Sequence, residues 1–170
     1  MLEFSKEELK KYQAARVIPI ILGPGKEPFL IDHHHYVRAS WELGIEDFKF
    51  QILKDKSDLH QTEFWNSMTA HNWVHLYDQF GLGPHSPYNL PVDIRGLADD
   101  PFRSLVWELI SHGYITKVNV PFAEFAWTAY LRFNLKSPLH SKSDFRKALK
   151  ECGKLVRIKE AAHLPGYRKK

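Results

Sequence analysis

Two hydrophobic periods alternate along this chain, and where one gives way to the other divides it. In the first half, short apolar runs are closed by turn residues. Val17-Ile18-Pro19-Ile20-Ile21-Leu22 predicts a strand, and its proline points to a sheet edge or a strand start. Gly23-Pro24-Gly25-Lys26 is a turn, and Phe29-Leu30-Ile31-Asp32 returns as a second strand, so the pair makes a hairpin. Phe48–Leu53 alternates apolar and polar residues as a half-buried strand does, and Trp73–Asp78 is a further strand candidate.

The helical period fills most of the rest. Residues 2–15 carry charges at helical spacing and predict a surface helix. Asp32 is placed to cap a helix from His33 to about Leu43, with Gly44 as its stop. Asp58 or Thr62 opens a helix containing Phe64, Trp65 and Met68 that ends near His71-Asn72, and a Gly/Pro-rich loop runs from Gln79 to Gly96. Asp100-Pro101 is a strong start signal, followed by Phe102, Leu105, Val106, Leu109 and Ile110 and stopped by Gly113. Asn119 and Pro121 repeat that start, with Phe122, Phe125, Ala126, Ala129, Tyr130 and Phe133 as the expected buried stripe. Ser143 opens a last helix through Leu149, Cys152 and Leu155, broken by His163–Tyr167. The expected fold is therefore α/β in the first half (α+β over the whole chain), with a helical second half.

Composition narrows the function classes. The 170 residues are 44% hydrophobic and 14% aromatic, enough for one globular domain with a true core. The longest apolar run is Val17–Leu22, far too short to span a bilayer, and Met1–Glu8 is polar and acidic, unlike a secretory signal. A lone cysteine, Cys152, leaves no intrachain disulfide and no thiol zinc site, and it reads as core. A soluble cytoplasmic protein without membrane partners is expected. The net charge of +4 is uneven: residues 136–170 hold 11 Lys+Arg against 3 Asp+Glu, while residues 1–135 hold 13 against 17. A basic C-terminal half admits nucleic acid as a partner, or is a solvated helix face.

The chemistry concentrates at the junction Asp32-His33-His34-His35-Tyr36-Val37-Arg38. A helix start presents free N–H groups and the positive end of a dipole, so it gathers anions. His34 and Arg38 are four apart and His35 and Arg38 three apart on one helix, a pairing that suits phosphate. Successive imidazoles point about 100° apart, so the three cannot ligate one metal. The structural alternative makes Asp32 a cap and the histidines a polar first turn. Asp99, Asp100 and Arg103 form a second candidate, where Asp100 as N-cap and an Asp99–Arg103 surface pair are the structural reading. Glu124 and Glu63, set among aromatics, are either acid/base groups or helix-start charges, and His163 is expected to pack. The strand signal over Trp73–Asp78 argues against a His71/His75 metal pair.

These residues carry a family resemblance. Pro19-Ile20-Ile21-Leu22-Gly23-Pro24, Leu30-Ile31-Asp32-His33-His34-His35, Glu63–Met68, Trp73–Asp78, Leu97–Leu105, Pro121–Phe125 and Ala161–Tyr167 occur in the order seen in ParB-like nucleases of the ParB/sulfiredoxin superfamily. The resemblance implies a single domain over 1–170: an N-terminal helix (1–16), a small mixed sheet with the motif helix (17–100), and a helical half with a basic end (101–170). It implies chemistry on the phosphate of a nucleotide, another phosphate-bearing small molecule or a nucleic acid. Asp32, His34 and His35 would be catalytic, and His33, His34, His35, Arg38 and Arg103 would bind phosphate. Asp99, Asp100 and Glu124 would support them, with a divalent metal, Mg²⁺, on Asp32. Three departures accompany it. Asp32 stands where relatives carry glycine, His34 and His35 stand where arginine or histidine pairs with phosphate, and residues 1–16 hold no Leu-Arg-Pro-Thr-Gln-like segment. The alternatives are a non-enzymatic DNA- or protein-binding module, or a catalytically degenerate member of the family.

Overall fold

A computed structural model describes residues 16–45 and 47–169. The expected N-terminal helix lies outside the described residues. The chain divides into two compact units: one holds the residues up to Leu76 together with Pro84–Leu97, the other Tyr77–Gly83 and Ala98–Lys170. Part of the Gly/Pro-rich loop, Gln79–Gly83, belongs to the second unit.

The first unit is built on a three-stranded mixed sheet in the order β2-β1-β3. Strand β1 (Val17–Leu22) pairs antiparallel with β2 (Pro28–Leu30) and parallel with β3 (Lys49–Asp55). The proline suggested an edge, yet β1 is central. The Pro19 carbonyl accepts from the Ile31 amide on the β2 side, and the β1–β2 ladder runs only from Ile20 to Leu22. The Pro19 nitrogen faces that same side at the end of the ladder, so the missing N–H costs at most one terminal bond, to Ile31. A register shift between Ile20 and Ile21 breaks strict alternation, so that Ile18, Ile20 and Ile21 are all buried. Strand β3 forms where expected, but it is exposed along its whole length rather than half-buried, with Phe50 57% and Ile52 55% accessible.

Helix α1 (His34–Glu42) connects the hairpin to β3, and α2 (Gln61–Ala70) follows β3. Phe64 and Met68 of α2 close with Ile21 into a small core, joined by Phe29, Ile31, Trp65, Trp73 and Val74. Glu63 accepts a bond from the His60 amide at 3.3 Å, which settles it as a capping side chain. Trp73–Asp78 is not a strand. Asn72 turns left-handed (φ 55°), the Trp73 amide closes back on the Met68 carbonyl, and the Trp73 ring stacks on His71 at 4.4 Å. Trp73 ends α2, and Trp73 and Val74 pack on the core.

The second unit is helical, with α3 (Pro101–Ser111), α4 (Ala123–Asn134) and α5 (Lys142–Leu155). Leu105, Val106, Leu109, Ile115, Trp127, Leu131, Ala148, Cys152, Val156 and Ala161 form its core. The start of α3 is as expected, since Asp100 accepts from the Phe102 amide at 3.0 Å. The other two starts differ. α4 begins after Phe122, whose backbone is left-handed (φ 58°), and α5 is capped by Ser141 rather than Ser143. The buried face of α4 is Ala123, Trp127, Thr128 and Leu131, while Ala129 and Phe133 of the expected stripe are exposed. Trp127 anchors that face: it is wholly buried, and its indole donates to the Pro165 carbonyl at 2.7 Å. Gly166 lets the C-terminal turn meet the Thr116 backbone, where a Cβ would lie 2.0 Å from the Thr116 carbonyl oxygen. His163 is exposed in that turn and does not pack.

Candidate functional site at the start of helix α1

The hairpin delivers the chain from β2 into α1 through Ile31, Asp32 and His33. The turn is sharper than a capped start would need. His33, not Asp32, is the N-cap residue, with φ 64° and ψ 22°. Asp32 takes the His33 amide on Oδ1 at 2.6 Å, so its carboxylate holds the strained residue rather than the first helical turn. The first α1 hydrogen bond runs from Val37 to the His33 carbonyl, which leaves the His34 and His35 amides without an intrahelical acceptor.

The three imidazoles are placed differently. His34 is half-buried. Burial holds its pKa below the ordinary 6.5, outweighing the opposing pull of Asp32 and the Leu30 carbonyl; His35 and His33 lower it further. A lowered pKa favours the neutral imidazole, the form in which a ring nitrogen can act as a base. His35 is exposed and His33 half-buried. Arg38 is engaged elsewhere: Nε meets Glu42 at 2.7 Å, and Nη1 donates to the carbonyls of Arg95 at 2.7 Å and Ile94 at 3.3 Å. Its guanidinium ties α1 to the short turn Ile94–Gly96 of the same unit. Nothing local in the sequence signals these partners, 56 and 57 positions away.

The remaining candidates belong to the second unit. Asp100, besides capping α3, accepts from Arg132 of α4 at 2.8 Å. Arg103 pairs with Glu124 at 2.7 Å, and among the described residues no ion pair joins it to Asp99, which is exposed. The two guanidiniums lie over rings, Arg103 on Phe125 at 4.3 Å and Arg132 on Phe102 at 4.5 Å. Arg103 Nη1 and Arg132 Nε are buried with no hydrogen-bond partner among the described residues. These four charges lock α3 against α4. Sequence reasoning had no sign of Arg132, since only the folded pair brings it to Asp100. Cys152 is wholly buried, and burial pushes its thiol up to about 12, the setting of a core residue and not of a nucleophile.

Among the described residues no group of three or more His, Cys, Asp or Glu side chains is arranged to hold a metal ion. Asp32 brings one carboxylate, bonded through Oδ1 to the His33 amide. No described helix is long and apolar enough to cross a membrane.

A small mixed sheet with a polar strand-to-helix junction, followed by a helical unit, defines a mixed α+β protein. Residues 1–133 match the family described as "Putative ParB-like nuclease", and the chain belongs to that family. It is also similar to the crystal structure of protein Atu1540 from Agrobacterium tumefaciens, with 36% sequence identity, 95% of this chain and 85% of that chain covered, and a TM-score of 0.86. No curated protein matches the chain.

Proposed function

We propose that the start of α1 binds the phosphate of a nucleotide or nucleic acid, and that His34 acts there as a general base for its hydrolysis or transfer. The observation that carries this reading is the half-buried imidazole of His34 at the helix start, beside the His34 and His35 amides that have no intrahelical acceptor. The His34 and His35 amides would receive phosphate oxygens with the helix dipole behind them, and the exposed His35 would add a donor. A ring nitrogen of His34 would take a proton from the attacking water or hydroxyl, with Asp32 close enough to favour the imidazolium that results. Arg38, held by two carbonyls and Glu42, fixes α1 and would not be the phosphate's cation. No step is assigned to a metal ion. Membership of the ParB-like nuclease family supports phosphate as the group recognised.

The test is calorimetric titration of ATP, ADP, CTP and a short DNA duplex, with and without Mg²⁺, into the wild type and His34→Ala/His35→Ala. Binding by the wild type that disappears in a folded double variant is the expected result. Equal affinity in the two proteins would reject the site, and binding strictly dependent on Mg²⁺ would contradict the metal-free assignment.

A further inference from the structure

Helix α5 lies beyond the residues matched to the family and has a charge pattern that its packing does not explain. Lys142, Arg146, Lys147, Lys150 and Lys154 are all exposed on it. Lys142, Arg146, Lys150 and Lys154 follow one another at four-residue steps, so they form a stripe along one face, with Lys147 at its flank. Three successive like-charge i,i+4 pairs weaken a helix, where alternating Glu and Lys would have strengthened it. The acids of the helix do not relieve the stripe. Glu151 accepts from the Lys136 amide, the Ser137 amide and the Ser137 hydroxyl, and Asp144 accepts from the Ser141 hydroxyl. Among the described residues none of the five cations forms an ion pair.

We infer that the outer face of α5 is a surface for the sugar–phosphate backbone of a nucleic acid, bound without regard to sequence. From Lys142 to Lys154 the stripe runs about 18 Å, so five cations give roughly one charge every 4 Å. A nucleic-acid strand presents about one phosphate per 3.4 Å of axis, a density that matches this line. An anionic bilayer is the poorer fit. The opposite face of α5, with Phe145, Ala148, Leu149 and Cys152, is committed to the core and is not free to enter the acyl region. This surface lies in the second compact unit and goes beyond the reading of the α1 site, on which it does not depend.

The experiment is fluorescence anisotropy of the full chain with a labelled duplex and a labelled single strand, each in two unrelated sequences, over a salt series. If all five cations engage, log K should fall against log salt with a slope of about −4.5 on duplex and about −3.5 on single strand. Lys142→Gln/Arg146→Gln/Lys150→Gln/Lys154→Gln should bind at least tenfold more weakly at low salt, with the slope reduced to near −1. Lys142→Arg/Lys150→Arg/Lys154→Arg should keep wild-type affinity and slope, and circular dichroism should show both variants as helical as the wild type. The glutamine variant should leave any ATP or CTP titration unchanged, which separates this surface from the α1 site. Equal binding by the glutamine variant, strong preference for one sequence, or binding only to vesicles of phosphatidylcholine and phosphatidylserine would each overturn the proposal.

Discussion

At φ 64° the backbone of His33 occupies the left-handed region, which histidine enters more readily than most residues but still at a cost. Valine there should cost about 1–3 kcal/mol more than glycine, because a β-branched side chain cannot relax in that region. Urea midpoints of His33→Val and His33→Gly test this, and equal midpoints would show that the turn adopts another conformation in solution. His34 makes the second residue-scale prediction. Its folded-state pKa lies below 6.5, so the unfolded chain takes up the proton first as pH falls. Its contribution to stability is therefore intact above the unfolded value, declines as pH drops through it, and levels off once the folded imidazole also protonates. Urea unfolding from about pH 7.5 to about pH 5 should show a slope that flattens in His34→Gln. The histidine cluster itself was legible from the order of residues alone. The division of labour among the imidazoles was not, because it depends on the Leu30 carbonyl and on burial.

At the scale of elements, starts that rest on a local signal were readable and those that rest on packing were not. Asp100-Pro101 opened α3 as expected because cap and proline act within one turn. The same carboxylate also meets Arg132, with 15% of the Asp100 and 22% of the Arg132 side chain exposed. Asp100→Ala should therefore lose both the cap and a largely buried partner, about 2–4 kcal/mol, while the exposed Asp99→Ala should stay within about 0.5 kcal/mol. Chemical denaturation of the two variants compares them directly, and similar losses would refute the assignment. In α4 the sequence Ala123–Asn134 places aromatics on several faces, so periodicity could not fix which one turns inward. Trp127→Ala should cost about 3–5 kcal/mol and orphan the Pro165 carbonyl, whereas Phe133→Ala should be close to neutral at 89% exposure. The reverse order would restore the stripe expected from the sequence.

Over the whole molecule, the second unit has a ten-residue buried core and the first has a cluster of three fully buried side chains, Ile21, Phe64 and Met68. Local opening follows buried contact, so hydrogen exchange should be slower in Leu105–Leu109 and Trp127–Leu131 than in the exposed strand β3. Strong protection of Lys49–Asp55 would mean that this strand is covered in solution. The sequence by itself determined what neighbouring residues can enforce. It specified the hairpin, the helices, the turn at Gly23–Lys26, the Asp-His-His-His junction, the basic face of the last helix and the burial of Cys152. These follow from hydrogen bonding, dihedral preference and period within a few positions. Tertiary structure decided what needs a distant partner. It made β1 central despite Pro19, used Trp73 to end a helix rather than to start a strand, and took Arg38 to the carbonyls of Ile94 and Arg95. It also gave Arg103 to Glu124 in place of Asp99. A charged or aromatic side chain has many acceptable partners along the chain, and only the packed fold selects which one is within reach.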